Sequence, residues 1–353
     1  MPIGGLLRGA YLWCLLGVVA FHLAGLTVAQ QPLALTDMTA DAQRNKHYEQ
    51  GLAYYGSGEH KLAAKELEQA LRENPENLWI SYYLARAYFG NNNRGAAWEL
   101  AKTLVREHAE FSRGHFLLGY FYFETHQWTL AERALKRAIE LEPNHGESHL
   151  VLGSTDVLLK KMEDAERELS RAADLNPNEP ETHYYLGRLY FARNKFPLAM
   201  GEFSKMLQLD PSSLKAYDNL GVTRQATGHF EGAEADFKRA IDLSRRTGTP
   251  SEWPYINLGK LYYDQGAADR SSPLLAQAVR INPRNDVGFF WLGKCQFALG
   301  QFEQAKDSLE KALAIYPRSP ECHYLLARIY RKLGNAEAAR AALERFRELG
   351  GKP

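Results

Sequence analysis

The chain has little cysteine, almost no net charge and none of the short motifs that announce chemistry. Three cysteines in 353 residues, Cys14, Cys295 and Cys322, are too few for a disulfide scaffold. A formal net charge of +1 gives no support for a nucleic-acid or polyanion binder. No Asn-x-Ser/Thr sequon occurs, so glycosylation says nothing of the compartment. HExxH, CxxC, a glycine-rich phosphate loop and G-x-S-x-G are all missing, which removes the usual signatures of zinc hydrolases, thiol sites, nucleotide binding and serine hydrolases. What remains is 45% hydrophobic, enough for well-buried cores.

The one long run without charge lies at the start. "MPIGGLLR" carries Arg8, and "GAYLWCLLGVVAFHLAGLTVA" follows. With small residues near Ala29 and Thr27 at −3, residues 1–29 read as a secretory signal cleaved before Gln30. The run is also long enough to span a bilayer once, so the alternative is an uncleaved anchor. A lipoprotein signal fails because Tyr11, Leu12 and Trp13 precede Cys14. Either way the body of the chain is expected outside the cytoplasm, periplasmic or secreted or held by the anchor, after a linker over 30–43.

The body repeats itself. Leu118-Gly119, Leu152-Gly153, Leu186-Gly187 and Leu220-Gly221 are each 34 residues apart, as are Leu258-Gly259 and Leu292-Gly293 after a four-residue slip. Twelve residues past the small residue stands an alanine, at 63, 97, 131, 165, 199, 233, 305 and 339. Seven further on, two helical turns, comes a second small set that includes Ala138, Ala172 and Ala240. Pro75, Pro143, Pro177, Pro211, Pro283 and Pro317 close the repeats, since proline ends a helix and can start the next. Each repeat is therefore two helices brought close by small residues.

Leu186, Gly187, Tyr190, Ala199, Phe203 and Pro211, and likewise Leu118, Gly119, Tyr122, Ala131, Leu135, Ala138 and Pro143, make the sequence resemble the tetratricopeptide repeat family. Nine repeats fit, beginning at Arg44, Leu78, Ser112, Gly146, Pro180, Leu214, Glu252, Asp286 and Pro320, and span 44–353. The resemblance implies an all-α fold, a right-handed α-solenoid superhelix of helix-turn-helix repeats. Ala109, Asp156 and Arg245 depart from the family pattern, replacing a proline, a tyrosine and a proline. The four-residue insertion in 244–253, with Ser271 and Pro273 in the next second helix, leads us to expect a joint near 244–273.

Side chains that suggest chemistry have structural explanations. His47, His115, His149, His183 and His323 share the fourth place of their repeats, and Tyr217, Tyr255 and Phe289 hold it elsewhere, so repeat register accounts for them. Neighbouring slots lie roughly 10 Å apart, too far for shared metal ligation at about 2 Å. Glu66, Glu68, Glu163 and Glu166 fall on the second helices among Lys and Arg, as a solvated face would. Cys295 and Cys322 sit at different heights on neighbouring first helices and are expected to be free thiols. With the repeats taking up the chain, no catalytic domain, cofactor or metal is expected.

The resemblance also implies where a ligand would lie: the first helices line an inner face, with the second, fifth, ninth, twelfth and thirteenth places pointing inward. In this sequence the fifth place gives Tyr48, Tyr82, Phe116, Tyr184, Phe290 and Tyr324. The twelfth gives Phe89, Phe123, Phe191, Tyr263 and Phe297. Between them the ninth gives Arg86, Tyr120, Arg188, Lys260, Lys294 and Arg328, five cations and no acid. No repeat has lysine at the fifth place or asparagine at the ninth, so the clamp for chaperone C-terminal tails is absent. The expectation is a non-catalytic scaffold holding an extended peptide or partner segment, with acidic segments favoured. Alternatives are a subunit that handles a carbohydrate polymer in envelope export, or the repeat arm of a multi-subunit enzyme. Neither nucleic acid nor, beyond the N-terminal segment, membrane is expected as a partner. Phe346, where alanine is usual, suggests an apolar C-terminal end open to self-association.

Overall fold

The computed structural model describes residues 45–351; the expected signal or anchor (1–29) and the linker (30–43) lie outside the described residues. Among the described residues there are eighteen helices and no strand. The chain divides into two compact units, ending and starting at Leu198 and Ala199. The first holds α1 (Lys46–Gly56), α2 (His60–Glu73), α3 (Leu78–Gly90), α4 (Arg94–Glu107), α5 (Ser112–Glu124), α6 (Trp128–Leu141), α7 (Gly146–Leu158), α8 (Met162–Leu175) and α9 (Pro180–Ala192). The division falls inside α10 (Phe196–Leu209). The second holds α11 (Leu214–Ala226), α12 (Phe230–Thr247), α13 (Trp253–Asp264), α14 (Ala268–Ile281), α15 (Asp286–Ala298), α16 (Phe302–Ile315), α17 (Pro320–Lys332) and α18 (Ala336–Glu348).

Helix ends follow local chemistry. Asn77 accepts from the backbone N–H groups of Trp79 and Ile80, Asn285 from Gly288 and Ser319 from Cys322, which satisfies first-turn donors that have no helical partner. Pro180, Pro254 and Pro320 occupy first turns, where a missing N–H costs nothing. Every turn inside a helix pair places its fifteenth residue in the left-handed region, at Gly58, Gly228, Gly266, Gly300 and Gly334, but also at Asn92, His126, Lys160 and Asn194.

Small residues set the packing as the sequence led us to expect. A Cβ at Gly221 would stand 2.6 Å from the Phe237 ring, and one at Gly153 2.7 Å from Leu169 Cγ. Each first helix thus settles onto a large side chain of its own partner helix. All eight alanines of the first set are buried. In the seventh repeat buried Ser271 takes that slot and donates to the Gly259 carbonyl at 2.6 Å, so its hydroxyl is satisfied. Within each unit, successive first helices lie against one another, as α3 does with α5 and α13 with α15. Successive second helices make no comparable contact among the described residues, which puts the first helices on the crowded inner side of each stack.

Three sequence departures resolve locally. The inserted residues lengthen α12 to 18 residues, and Gly248 ends it at φ 66°. Pro273 lies inside α14, which keeps its helical course. Cys295 and Cys322 are free and fully buried. The expectation of an exposed Phe346 is corrected. Its ring is buried against Tyr324 at 5.1 Å, and Gly351, whose N–H donates to the Phe346 carbonyl at 2.9 Å, lies so close that a methyl there would clash. That end has its apolar ring covered by its own C-terminal turn.

Candidate functional site

On the inner side of the first unit, Arg86 of α3 is already occupied. Its guanidinium donates to Glu147 of α7 at 2.9 and 3.2 Å, to the Tyr55 hydroxyl at 2.8 Å and to the Tyr82 hydroxyl at 2.6 Å. Burial alone would raise the Glu147 pKa, but the Arg86 charge and His145 override it and hold the carboxyl well below the usual carboxylate range. Arg86, desolvated but facing that carboxylate, is held charged well above its ordinary value. Arg113 joins them: it pairs with Glu142 at 2.6 Å, contacts His145 Nε2 at 2.6 Å and lies over the Trp79 ring at 5.3 Å. A polar core therefore spans the second, third and fourth repeats where the sequence suggests an open cation.

The flanking aromatic rows of this unit are largely interior. Tyr48, Tyr82, Phe116 and Phe123 are buried, because the inner sides of neighbouring first helices touch and close over those places. Phe89 and Tyr120 pack on one another at 4.9 Å and remain half-buried. They line a small cavity with Tyr55, His60, Arg86 and Phe121. Tyr184 and Phe191 are half-buried. Buried Arg188 lies over the Tyr184 ring at 5.4 Å and donates to its hydroxyl at 3.3 Å, while its Nε has no hydrogen-bond partner.

The second unit differs. Lys294 Nζ stands over Trp291 at 4.2 Å and over Tyr263 at 4.8 Å, and Lys260 Nζ approaches the same Trp291 at 5.3 Å. Arg328 is exposed and lies over Phe297 at 4.8 Å. Neither Lys294 nor Arg328 makes an ion pair among the described residues. Burial, countered by Asp264 and reinforced by Lys294, lowers the Lys260 pKa to about 8. Phe290 and Phe297 are half-buried and Tyr324 exposed, so this face keeps both its rings and its cations near solvent. Glu147, Trp291 and Asp264 were missed in sequence. Glu147 and Asp264 occupy second and thirteenth places that a fuller reading of the repeats would have reached, whereas sixth-place Trp291 carries no such signal.

The histidines have a common role. Nε2 bonds a carbonyl six residues back in His115 (Ala109, 2.8 Å), His149 (Pro143, 3.0 Å), His183 (Pro177, 3.1 Å) and His323 (Pro317, 3.2 Å). Each ties the start of a first helix to the end of the preceding repeat. Among the described residues no group of His, Cys, Asp and Glu could hold a metal, and no helix is long and apolar enough to cross a membrane.

Comparison with known proteins agrees with this architecture. Tetratricopeptide repeat family models match residues 54–119, 122–189 and 213–247, and the model of anaphase-promoting complex, cyclosome, subunit 3 matches 264–346. No curated protein matches the chain. Among solved structures, the APC/C hetero-tetramer Cut9–Hcn1 is similar at 16% identity, covering 82% of this chain and 54% of that one, with TM-score 0.64. The chain thus spans about half the length of that relative. PilF of Pseudomonas aeruginosa is similar at 17% identity over 59% of this chain and 93% of its own, with TM-score 0.53. A thermophilic repeat protein of Thermus thermophilus, TTC0263, shares 26% identity over 50% of this chain and 96% of its own, with TM-score 0.45. The first two likenesses are of fold. Proteins of this repeat type generally serve as non-catalytic scaffolds that bind protein or peptide partners. With its paired helices, in-phase small residues and matching family models, the chain belongs to the tetratricopeptide repeat family.

Proposed function

We propose that the protein is a non-catalytic interaction scaffold that holds an extended peptide or partner segment on the inner face of its second unit. One observation supports this above others. The ninth-place cation of the second repeat is consumed by an internal acid, whereas Lys294 and Arg328 lie across aromatic rings without an ion pair. A charge held in place by a ring loses little freedom when it takes a ligand carboxylate. The rings favour a peptide over a neutral sugar polymer. Tyr263 and Phe290 meet Trp291 edge-on, at 69° and 73°, which ties them to one another rather than leaving flat platforms.

Export belongs to the same proposal and rests on the N-terminal sequence alone; sequencing the N-terminus of the mature protein tests it. For the binding role, the full chain and its Lys294→Glu plus Arg328→Glu variant are used to recover partners from an envelope extract, followed by mass spectrometry. We expect at least one abundant partner to be lost with the variant while its thermal unfolding stays unchanged. Recovery of every partner by the charge-reversed chain would overturn the proposal.

A further inference from the structure

The spacing of cations on this face carries information about what binds there. Lys260, Lys294 and Arg328 occupy the ninth place of three consecutive first helices, α13, α15 and α17. Packed helices stand roughly 8–10 Å apart. The shared Trp291 ring, 5.3 Å from Lys260 Nζ and 4.2 Å from Lys294 Nζ, bounds the separation of the two nitrogens at about 9.5 Å. A β-extended peptide presents same-face side chains every second residue, about 6.6 Å apart, and does not match that step. A polyproline II chain turns once in three residues and rises about 9.3 Å doing so, which does.

We infer that the inner face of the second unit recognises an acidic segment in polyproline II conformation, with Asp or Glu at every third position facing Lys294 and Arg328 in turn. The inference rests on the proposed binding role and names the partner's chemistry. Several features support that chemistry. The cations are mounted on rings (Lys294 on Trp291 and Tyr263, Arg328 on Phe297), so their positions are set before a ligand arrives. Those rings also offer edges and faces to the prolines or other apolar residues between the acids, as aromatic grooves do for this backbone. Lys260 continues the row in the right direction. The nearby acids work against an anionic ligand only weakly. Asp264 is exposed at the end of α13, and Glu321 on α17 turns to its own capping Ser319 at 3.3 Å. Asp218 on α11 is held by Asn257 Nδ2 at 2.9 Å, and burial pushes its pKa up to about 7, which reduces its charge near neutrality.

In the first unit the same kind of contact is made internally. Glu147, at a second place, reaches the ninth-place Arg86 two repeats earlier, and tyrosine hydroxyls complete the guanidinium's bonds. The equivalent acid of the last repeat, Glu321, makes no ion pair among the described residues, so the second unit offers the cation without the plug.

The test is fluorescence anisotropy of the full chain with three labelled nonapeptides at low salt. One repeats Glu-Pro-Pro three times, one has the same composition with its glutamates adjacent, and one carries Gln for Glu. The spaced acidic peptide is expected to bind about tenfold or more tightly than either control, a difference of one good charged contact. Lys294→Gln plus Arg328→Gln should remove that advantage, Lys294→Arg should retain it, and Asp264→Asn should tighten binding a few-fold. Far-UV circular dichroism of each variant verifies folding. Equal binding of the spaced and adjacent peptides would overturn the conformational match, and equal binding of the neutral peptide would overturn the acidic specificity. If none of the peptides binds while partner capture still depends on Lys294 and Arg328, this inference is wrong and the broader scaffold role stands.

Discussion

Arg86 and Glu147, 61 residues apart in the chain, meet through two hydrogen bonds of 2.9 and 3.2 Å on the inner side of the first unit. The pair links α3 to α7 across an intervening repeat, which adds a tie beyond the nearest-neighbour contacts that usually hold a solenoid. Removing one partner strands a desolvated charge. Glu147→Gln is therefore expected to cost about 3–5 kcal/mol in urea unfolding. The double change Arg86→Met plus Glu147→Met should recover most of that loss, because it removes the desolvation penalty along with the attraction. Additive losses in the double variant would show that the two side chains do not act as a pair.

The fourth-place histidines make a related argument at the junctions. In His149, Nε2 bonds the Pro143 carbonyl and Nδ1 lies 2.7 Å from Glu168 Oε2, both in buried surroundings. An apolar residue of similar size would fill the space but leave both groups without partners. His149→Leu should lower stability by roughly 2 kcal/mol, mainly through those orphaned acceptors. The same change at His323, which is half-buried and bonds only the Pro317 carbonyl at 3.2 Å, should cost less. Equal losses at the two positions would indicate packing rather than hydrogen bonding as the cause.

Turn geometry gives an opposite sign. Lys160 sits at φ 61° in a position that five other repeats give to glycine. Its Cβ crowds the backbone there, at a cost of roughly 1–2 kcal/mol that glycine avoids. Part of that gain is offset by the extra freedom glycine brings to the unfolded chain. Lys160→Gly is expected to stabilise the protein by about 0.5–1 kcal/mol, and Gly334→Ala, in the same place of the last repeat, to destabilise it. A fall in the unfolding midpoint for Lys160→Gly would contradict this account.

How much of this was legible follows from what a repeat makes visible. Helix positions, the Gly–Leu contacts and the buried alanines recur in phase, so each copy confirms the others, and the helix pairs follow from the sequence. The histidine slot was visible too, but its bond to the preceding carbonyl depends on the path of the backbone between repeats. The inner face was legible only in part. Reading the ninth place alone shows Arg86 as an open cation, because its neutralising partner stands at another place two repeats on. The burial of Tyr48, Tyr82 and Phe116 depends on how tightly neighbouring first helices approach, which no single repeat reveals. Phe346 was misjudged for a similar reason: three residues beyond its helix, outside the repeat pattern, supply the cover.

Asp156 shows what one departure from the pattern costs. It stands where the family places a tyrosine, is buried, and neither carboxyl oxygen has a hydrogen-bond partner. Burial, with Glu132 and Asp164 adding repulsion, raises its pKa from 3.8 to about 6 despite Lys161 and Lys136. In the unfolded chain the carboxyl ionises near 3.8, so the folded state binds a proton more tightly over the intervening range. The resulting penalty is absent below about pH 4, grows as pH rises and is complete above about pH 6. Asp156→Asn removes the charge and keeps the volume, so it should stabilise the protein by roughly 2 kcal/mol at about pH 8 and have little effect at about pH 4. Thermal unfolding at both pH values checks this. A gain of the same size under the acidic condition would mean that relief of packing strain, rather than of a buried charge, accounts for the difference.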